Sequence, residues 1–310
     1  MSGSFLSGIQ DQKNPARPAV AIRADYDAVS TADGAARHLC GHDGHAAALC
    51  GAALAAEGHT YGRNIIFLFQ PAEEIGEGAK SCLEIFEKEK IGEIYGVHNL
   101  PGFPFGQVVT KEGTFACASH GLCIRLKGTP THAAYPENGI SPAMAVGEFL
   151  CALQEIADSK KYKAMTLCTV IGVQMGEKAF GTAAADAEIW LTIRGELDCD
   201  VDMLHNGIIN RGQELANEYH LGFSHQVHDV FPATENTGEC ARKVLDRCNG
   251  SVLEVPMRWS EDFGHYLKHC PGAFLGIGAG EDYAPLHTEH YEYPDELLQP
   301  TIGAILQLVK

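Results

Sequence analysis

The chain has 310 residues, 45% hydrophobic and 20% charged, an ordinary globular composition long enough for one large domain or two of average size. A formal net charge of −17 repels phosphate backbones and anionic lipid, which argues against nucleic acid and membrane surfaces as partners. The opening MSGSFLSGIQDQKNPARPAV has no basic region followed by an apolar one, no membrane-length apolar run occurs, and the eleven cysteines follow no framework spacing; together these predict a cytoplasmic protein.

In chain order, residues 19–24 (AVAIRA) form a short apolar run. Residues 43–57 are Ala-rich and read as a helix, and 64–69 (NIIFLF) as a strand apolar enough for the centre of a sheet. A helix over 78–90 and a strand over 94–97, ending at His98-Asn99, follow. This βαβα order predicts an α/β domain with a mostly parallel sheet. The middle of the chain changes pattern. A strand over 119–127 precedes a helix from Ser141-Pro142 to about 159, with Ser as N-cap and Pro at the first helical position. Strands over 166–175 and 186–197, a helix over 200–219 and a strand over 223–230 complete a β-α-β-β-α-β order, that of a ferredoxin-like sandwich. Beyond it, 238–248 and 260–269 read as helices, 273–277 as a strand and 297–310 as a closing helix. The expected partition is a catalytic domain of residues 1–116 and 230–310 and an inserted lid or dimerisation domain of residues 117–229.

Four polar segments fall at strand ends or in loops: His38-Leu-Cys40-Gly-His42-Asp43-Gly-His45, Gln70-Pro-Ala-Glu73-Glu74, Gly96-Val-His98-Asn99 and Pro285-Leu-His287-Thr288. In open α/β sheets ligand sites gather beyond the carboxyl ends of strands, and Glu73-Glu74 and His98 each follow a predicted strand. Thiolate, imidazole and carboxylate together suit Zn, Mn, Co or Ni better than Mg or Ca. A thiolate can bridge two ions, and one Glu of a pair can ligate while its neighbour takes a proton from the attacking water. Taken singly, Cys40 is a core residue, His98 a hydrogen-bonded histidine and Glu73-Glu74 a solvated pair; their meeting at one rim points to a metal hydrolase. His59, His205, His220, His225, His228, His265, His269 and His290 read as surface or helix-face residues, and His45 as packing within its helix. The GIGAG stretch at 276–280 lacks the third glycine of a dinucleotide loop, and no Gly-x-Ser-x-Gly elbow supports a serine hydrolase.

The ordered set ADYDA (24–28), CGHDGH (40–45), FQPAEE (69–74), GVHN (96–99), THAAYP (131–136), SEDF (260–263) and PLHT (285–288) resembles the amidohydrolase branch of the di-metal aminoacylase/carboxypeptidase family. That branch contains auxin-conjugate hydrolases, hippurate hydrolases and N-acetyl-diaminopimelate deacetylases. The resemblance implies two divalent metal ions, Mn or Zn with Co or Ni as alternatives, bridged by Cys40 and bound by His42, Glu74, His98 and His287. It implies Glu73 as general base and later proton donor, and Asp27, with Asp25 less so, as support for the site. His132 would reach a substrate oxygen, often in the partner subunit's site, and Arg194 would anchor a substrate carboxylate. A small N-acyl amino acid is the implied substrate, and a homodimer through the inserted domain the implied assembly. A dipeptidase or aminopeptidase of the same fold, or a catalytically silent metal- or ligand-binding homologue, are the alternatives. Three departures stand out: about twenty residues precede the ADYDA strand where the family has more, the loop between Val29 and His38 is short, and Gly181-Thr-Ala-Ala184 replaces the frequent Asn-Val-Ile-Pro.

Overall fold

The computed structural model describes residues 17–31 and 34–310; the amino-terminal stretch read for a leader, and part of the short 29–38 loop, lie outside the described residues. Two compact units result, one reaching to Ala116 and resuming at Thr234, the other Cys117–Ala233.

The first unit begins with β1 (Ala19–Asp25), a small antiparallel pair β2 (Val29–Ser30) and β3 (Ala36–Arg37), and α1 (His42–Ala56). It continues through β4 (Ile65–Gln70), α2 (Gly78–Cys82), α3 (Ile85–Lys88), β5 (Ile91–Pro101), β6 (Val108–Thr110) and β7 (Gly113–Ala116). The second unit holds β8 (Ala118–Lys127), β9 (Thr131–His132), α4 (Ala143–Ile156), β10 (Thr166–Met175), β11 (Thr182–Ala183), β12 (Asp186–Gly195), α5 (Asp198–Glu218) and β13 (Gly222–Phe231). The first unit then resumes with β14 (Thr234–Asn236), α6 (Gly238–Arg247), β15 (Ser251–Val252), α7 (Gly264–Leu267), β16 (Gly272–Gly280) and α8 (Leu298–Val309).

The central sheet of the first unit runs β15-β6-β16-β5-β1-β4 and is parallel except between β16 and β6. All seven residues of β1 are buried, because helices cover both faces of the sheet. Val20, Ile22 and Ala24 join one core with Leu49 of α1, Val244 of α6 and Ile305 of α8. Ala19 and Ala21 face a second core with Ala79, Ile85 and Tyr266. By the period-two alternation of a strand, Arg23 and Asp25 share that second face.

In the second unit, the four-stranded antiparallel sheet runs β10-β12-β8-β13. Leu122, Ile124, Ile189 and Leu191 pack with Phe149 of α4 and Leu204 and Ile208 of α5 on one face. No helix among the described residues is long and apolar enough to cross a membrane.

Three predicted helices differ. The 78–90 helix is two short ones: Leu83 N–H bonds the Lys80 carbonyl and Phe86 N–H the Leu83 carbonyl, three-residue turns that bury Ile85 and stack Phe86 on His269. The helix predicted from Ser141-Pro142 starts at Ala143, with Pro142 rather than Ser141 at the N-cap position, and ends at Ile156, and Asp158 caps a separate 3-10 turn by accepting from Lys160 N–H at 3.1 Å. Over 260–269 only Gly264–Leu267 is helical, because Glu261 and Asp262 turn their side chains into the buried guanidinium of Arg23.

Gly78 opens α2 beneath the Glu73-Glu74 loop, and a Cβ there would lie 1.8 Å from the Pro71 carbonyl oxygen. Backbone cannot yield as a flexible side chain does, so Gly78→Ala is expected to cost about 1–3 kcal/mol. Urea denaturation checks this, and an unchanged midpoint would contradict it.

Candidate functional site

Strand register builds one rim. Asp25 pairs with Gln70 across β1–β4, Arg23 pairs with Gly96 across β1–β5, and His98 pairs with Gly276 across β5–β16. The carboxyl ends of three parallel strands therefore present Asp25, the Glu73-Glu74 loop and His98 side by side. Cys40 and His42 arrive from the amino end of α1, where Gly41 takes φ 94°. That position demands glycine twice over: the left-handed backbone excludes side chains, and a Cβ would lie 2.5 Å from Asn99 Oδ1. His287 completes the group from the loop after β16. Its own φ of 61° is a strained value for a non-glycine residue, held in place as its N–H donates to the Leu39 carbonyl at 2.7 Å.

Two donor groups share one thiol. The donor atoms of Cys40, His42 and His98 lie within 4.8 Å of one another, and so do those of Cys40, Glu74 and His287. Cys40 Sγ is 3.5 Å from His98 Nε2, and Glu74 Oε1 is 3.8 Å from His42 Nε2 and 3.6 Å from His287 Nε2. Glu73 enters the same space, its Oε2 3.9 Å from His42 Nε2.

Hydrogen bonds behind these donors fix their orientation. His42 Nδ1 donates to Asp27 Oδ1 at 3.0 Å, and the other Asp27 oxygen accepts from Glu74 N–H at 3.0 Å. His98 Nδ1 donates to the Asn99 carbonyl at 2.8 Å. Both imidazoles thus carry a proton on Nδ1 and turn Nε2 into the site. Two buried atoms, His42 Nε2 and Glu74 Oε1, have no hydrogen-bond partner. Buried polar atoms are normally satisfied, so a pair of orphans among thiol, imidazole and carboxylate fits a metal ion.

Below the donors lies a residue without a role in the sequence reading. Arg23 is fully buried; its Nε donates to Gln70 Oε1 at 2.7 Å, Nη1 to Asp25 Oδ2 at 2.6 Å, and Nη2 to Glu261 Oε1 at 2.9 Å and Asp262 Oδ1 at 2.8 Å. Asp25 in turn accepts from His45 Nδ1 at 2.6 Å, and His45 Nε2 accepts from Asn99 N–H at 3.2 Å. His45 therefore ties α1 to β1 and β5 through polar contacts rather than packing in its helix. The sequence signals were a charge inside the apolar AVAIRA run and the paired acids of SEDF.

Four buried carboxylates surround that single guanidinium. Burial opposes the ionisation of Asp25, yet Arg23, His42 and His45 hold it well below the usual carboxylate range. Burial raises Glu73 well above its usual value, reinforced by Glu261, Asp262 and Asp25. Glu261 is pushed up to about 8 by burial, with Arg23 opposing. The Cys40 thiol is raised by burial and by the facing Glu74 and Glu73. Burial lowers His42, but Asp25, Asp27 and Glu74 outweigh it and lift the ring to about 9. The pocket carries surplus negative potential, which added cations would offset.

His132 and Arg194 belong to the second unit. His132 is exposed on β9, pairs with Thr182 of β11, and accepts from Ala134 N–H at 3.0 Å through Nδ1. The Gly181–Ala184 departure thus runs directly alongside His132. Arg194, half-buried on β12, has its pKa lowered by burial, with Cys117 opposing.

A parallel sheet clothed by helices, with a thiol-centred donor cluster and a spare carboxylate at its strand ends, defines a metallohydrolase-type α/β architecture. The sequence pattern of Peptidase family M20/M25/M40 matches residues 21–310, and the chain belongs to that family. It is 29% identical over 283 residues to N-acetyl-L-cysteine deacetylase of Bacillus subtilis (strain 168), covering 86% of this chain and 68% of that one. To IAA-amino acid hydrolase ILR1-like 4 of Arabidopsis thaliana it is 27% identical over 308 residues, 91% of this chain and 70% of that one. Among solved structures, the Bacillus subtilis YXEP protein, described as a dinuclear metal binding peptidase from the M20 family, superposes with a TM-score of 0.79 at 24% identity, over 98% of this chain and 82% of the other.

Arg23→Met would leave buried carboxylates without their cation. Breaking a buried pair from one side costs about 3–5 kcal/mol, and that loss is expected in guanidinium chloride unfolding. A loss below about 1 kcal/mol, the worth of a surface pair, would show that Arg23 does not organise the site.

Proposed function

We propose that the chain is an amidohydrolase that cleaves the amide bond of N-acyl amino acids with two divalent metal ions, Mn or Zn, held by Cys40, His42, Glu74, His98 and His287. The observation that carries this reading is the spare carboxylate. Glu73 stands beside the two donor groups that meet at Cys40, yet pure metal storage needs no extra base. The names of the relatives, an N-acetyl-L-cysteine deacetylase and an IAA-amino acid hydrolase, support the substrate class.

Bound ions would supply Lewis acidity, polarising the amide carbonyl and acidifying the attacking water. The protein's own groups do the rest. Asp27 and the Asn99 carbonyl hold His42 and His98 in the tautomer that offers Nε2. Asp262 N–H steadies Glu73 by donating to its Oε1 at 3.4 Å. Glu73 removes a proton from water and delivers it to the leaving nitrogen, so one carboxylate acts first as base and then as acid. His132 donates to the developing oxyanion, and Arg194 pairs with the substrate carboxylate.

The catalytic domain in this reading is residues 1–116 and 230–310, with residues 117–229 as a ferredoxin-like lid through which two copies pair. The β10-β12-β8-β13 order, with both helices on one face, supports the fold assignment. Strand β10 supports the pairing: it is a ten-residue edge strand whose Leu167, Val170, Ile171, Val173 and Met175 are exposed. A long apolar edge is a template for another strand unless covered. The eleven free thiols support a reducing, cytoplasmic setting.

The test is amine release from N-acetyl, N-benzoyl and N-indolylacetyl amino acids by Mn- or Zn-loaded protein. Glu73→Gln is expected to lower kcat by about 10²–10⁴-fold while metal content stays unchanged. Absence of turnover by the loaded wild type across the panel would overturn the assignment in favour of a metal-binding protein. Separately, Ile171→Lys is expected to shift the chain from dimer to monomer in light scattering. A wild-type monomer would end the pairing proposal without touching the chemistry.

A further inference from the structure

The imidazoles of the Cys40 centre are not held alike. His42 and His98 are buried, and each is oriented by a hydrogen bond from its own Nδ1. His287 has no such bond among the described residues: its side chain is 50% exposed, and its Nε2 lies 3.6 Å from Glu74 Oε1. Its place is therefore set by its backbone, which sits in the left-handed region at φ 61°.

Two anchors fix that backbone. One is the bond from His287 N–H to the Leu39 carbonyl at 2.7 Å. The other is Tyr291, further along the same loop and 2% exposed. Its N–H closes the turn on the Thr288 carbonyl at 3.1 Å, and its hydroxyl accepts from Asn99 Nδ2. Asn99 also serves the other donor group. Its carbonyl accepts from His98 Nδ1 at 2.8 Å, and its N–H donates to His45 Nε2 at 3.2 Å. The phenol lies close against the turn that carries Cys40, since a Cβ on Gly41 would be 2.8 Å from Tyr291 Oη.

We propose that Tyr291 is a positioning residue for His287: its hydroxyl, latched by Asn99, holds the loop so that the imidazole faces Glu74 and Cys40. This rests on the two-ion reading above and adds that the two donor groups are joined mechanically through Asn99. The Cys40, His42 and His98 group is oriented without the phenol, whereas the Cys40, Glu74 and His287 group depends on it. Without the hydroxyl, Asn99 Nδ2 loses a buried partner and the loop loses one of its two anchors. A half-exposed ring then has water as an alternative to Glu74. Supports that orient a ligand are typically worth about 10–100-fold in metal affinity, and here the support acts through the loop rather than on the ring.

Equilibrium dialysis of the full-length purified protein against ZnCl2, followed by elemental analysis, tests the role. Wild type is expected to bind two ions per chain. Tyr291→Phe keeps the ring and removes the hydroxyl; it is expected to hold the first ion at wild-type affinity and the second about tenfold or more weakly. His287→Ala should lose the second ion, and adding Tyr291→Phe to it should change nothing further, a non-additivity that general loosening of the fold would not produce. Both ions at wild-type affinity in Tyr291→Phe, equal weakening of both, or further loss in the double variant would overturn the positioning role and leave the two-ion reading intact. Fewer than two ions in wild type would instead overturn that reading, and the role of Tyr291 with it.

Discussion

The site rests on one buried cation. Arg23 emerges from the centre of a parallel sheet and is completely enclosed, and each of its hydrogen bonds goes to a group that reaches the rim: Gln70 at the end of β4, Asp25 at the end of β1, and Glu261 and Asp262 from the segment before α7. From those groups the order spreads. Asp262 also accepts from Ala79 N–H at 2.8 Å and from the Gln70 amide at 2.9 Å, fixing the start of α2. Asp25 holds His45, and His45 holds the backbone at Asn99 beside His98. Such a cluster gains little net stability over a well-packed apolar one, since desolvation consumes most of the attraction, but losing one member is severe. Its value is geometric: a planar fork with fixed donors sets where several carboxylates point.

One guanidinium does not balance the carboxylates gathered around it. Asp25 sits closest to ionised, while Glu73, Asp262 and Glu261 are all raised, with burial as the leading cause in each. The thiol of Cys40 is likewise discouraged from ionising by burial and by its acidic neighbours. Divalent cations reverse each of these tendencies at once, because they stabilise thiolate and carboxylate where water has been excluded. Ions bound there would couple to the stability of the first unit, because each would lower the electrostatic cost of gathering these acids in one place.

Much of this was legible in the sequence, and the rest was hidden for identifiable reasons. The apolar IIFLF run and the Ala-rich segment after His42 read directly as strand and helix because burial on both sheet faces demands them. That Cys40, His42, Glu74, His98 and His287 would converge could be read because strand ends are where polar segments of an open sheet gather, and the structure brings these residues together. Arg23 was passed over because three of its four partners lie 47, 238 and 239 residues away, a distance no local pattern spans. The helix read over 260–269 failed for the same reason: Glu261 and Asp262 answer to a guanidinium on β1, not to their neighbours. His45 was assigned to helix packing on its spacing alone, although the deciding fact is the carboxylate opposite it. The strained φ values at Ala72 and His287, in the loops that carry the glutamate pair and the last imidazole, have no signature in residue type at all.

Histidine shows best why residue type underdetermines role. At the Cys40 centre, His42 and His98 spend Nδ1 on protein oxygens; His98 Nε2 faces the Cys40 thiol, and His42 Nε2 is left with no partner. In the second unit His120 and His205 spend facing nitrogens on each other, which satisfies both rings without an ion. The first arrangement leaves a buried ring nitrogen and a carboxylate oxygen without partners, a cost that an added cation removes. The second is neutral and complete, so a metal entering there must first displace a hydrogen bond. The thiol-centred pocket is therefore the one whose donors a cation would satisfy, while the histidine pair of the second unit already satisfies its facing nitrogens.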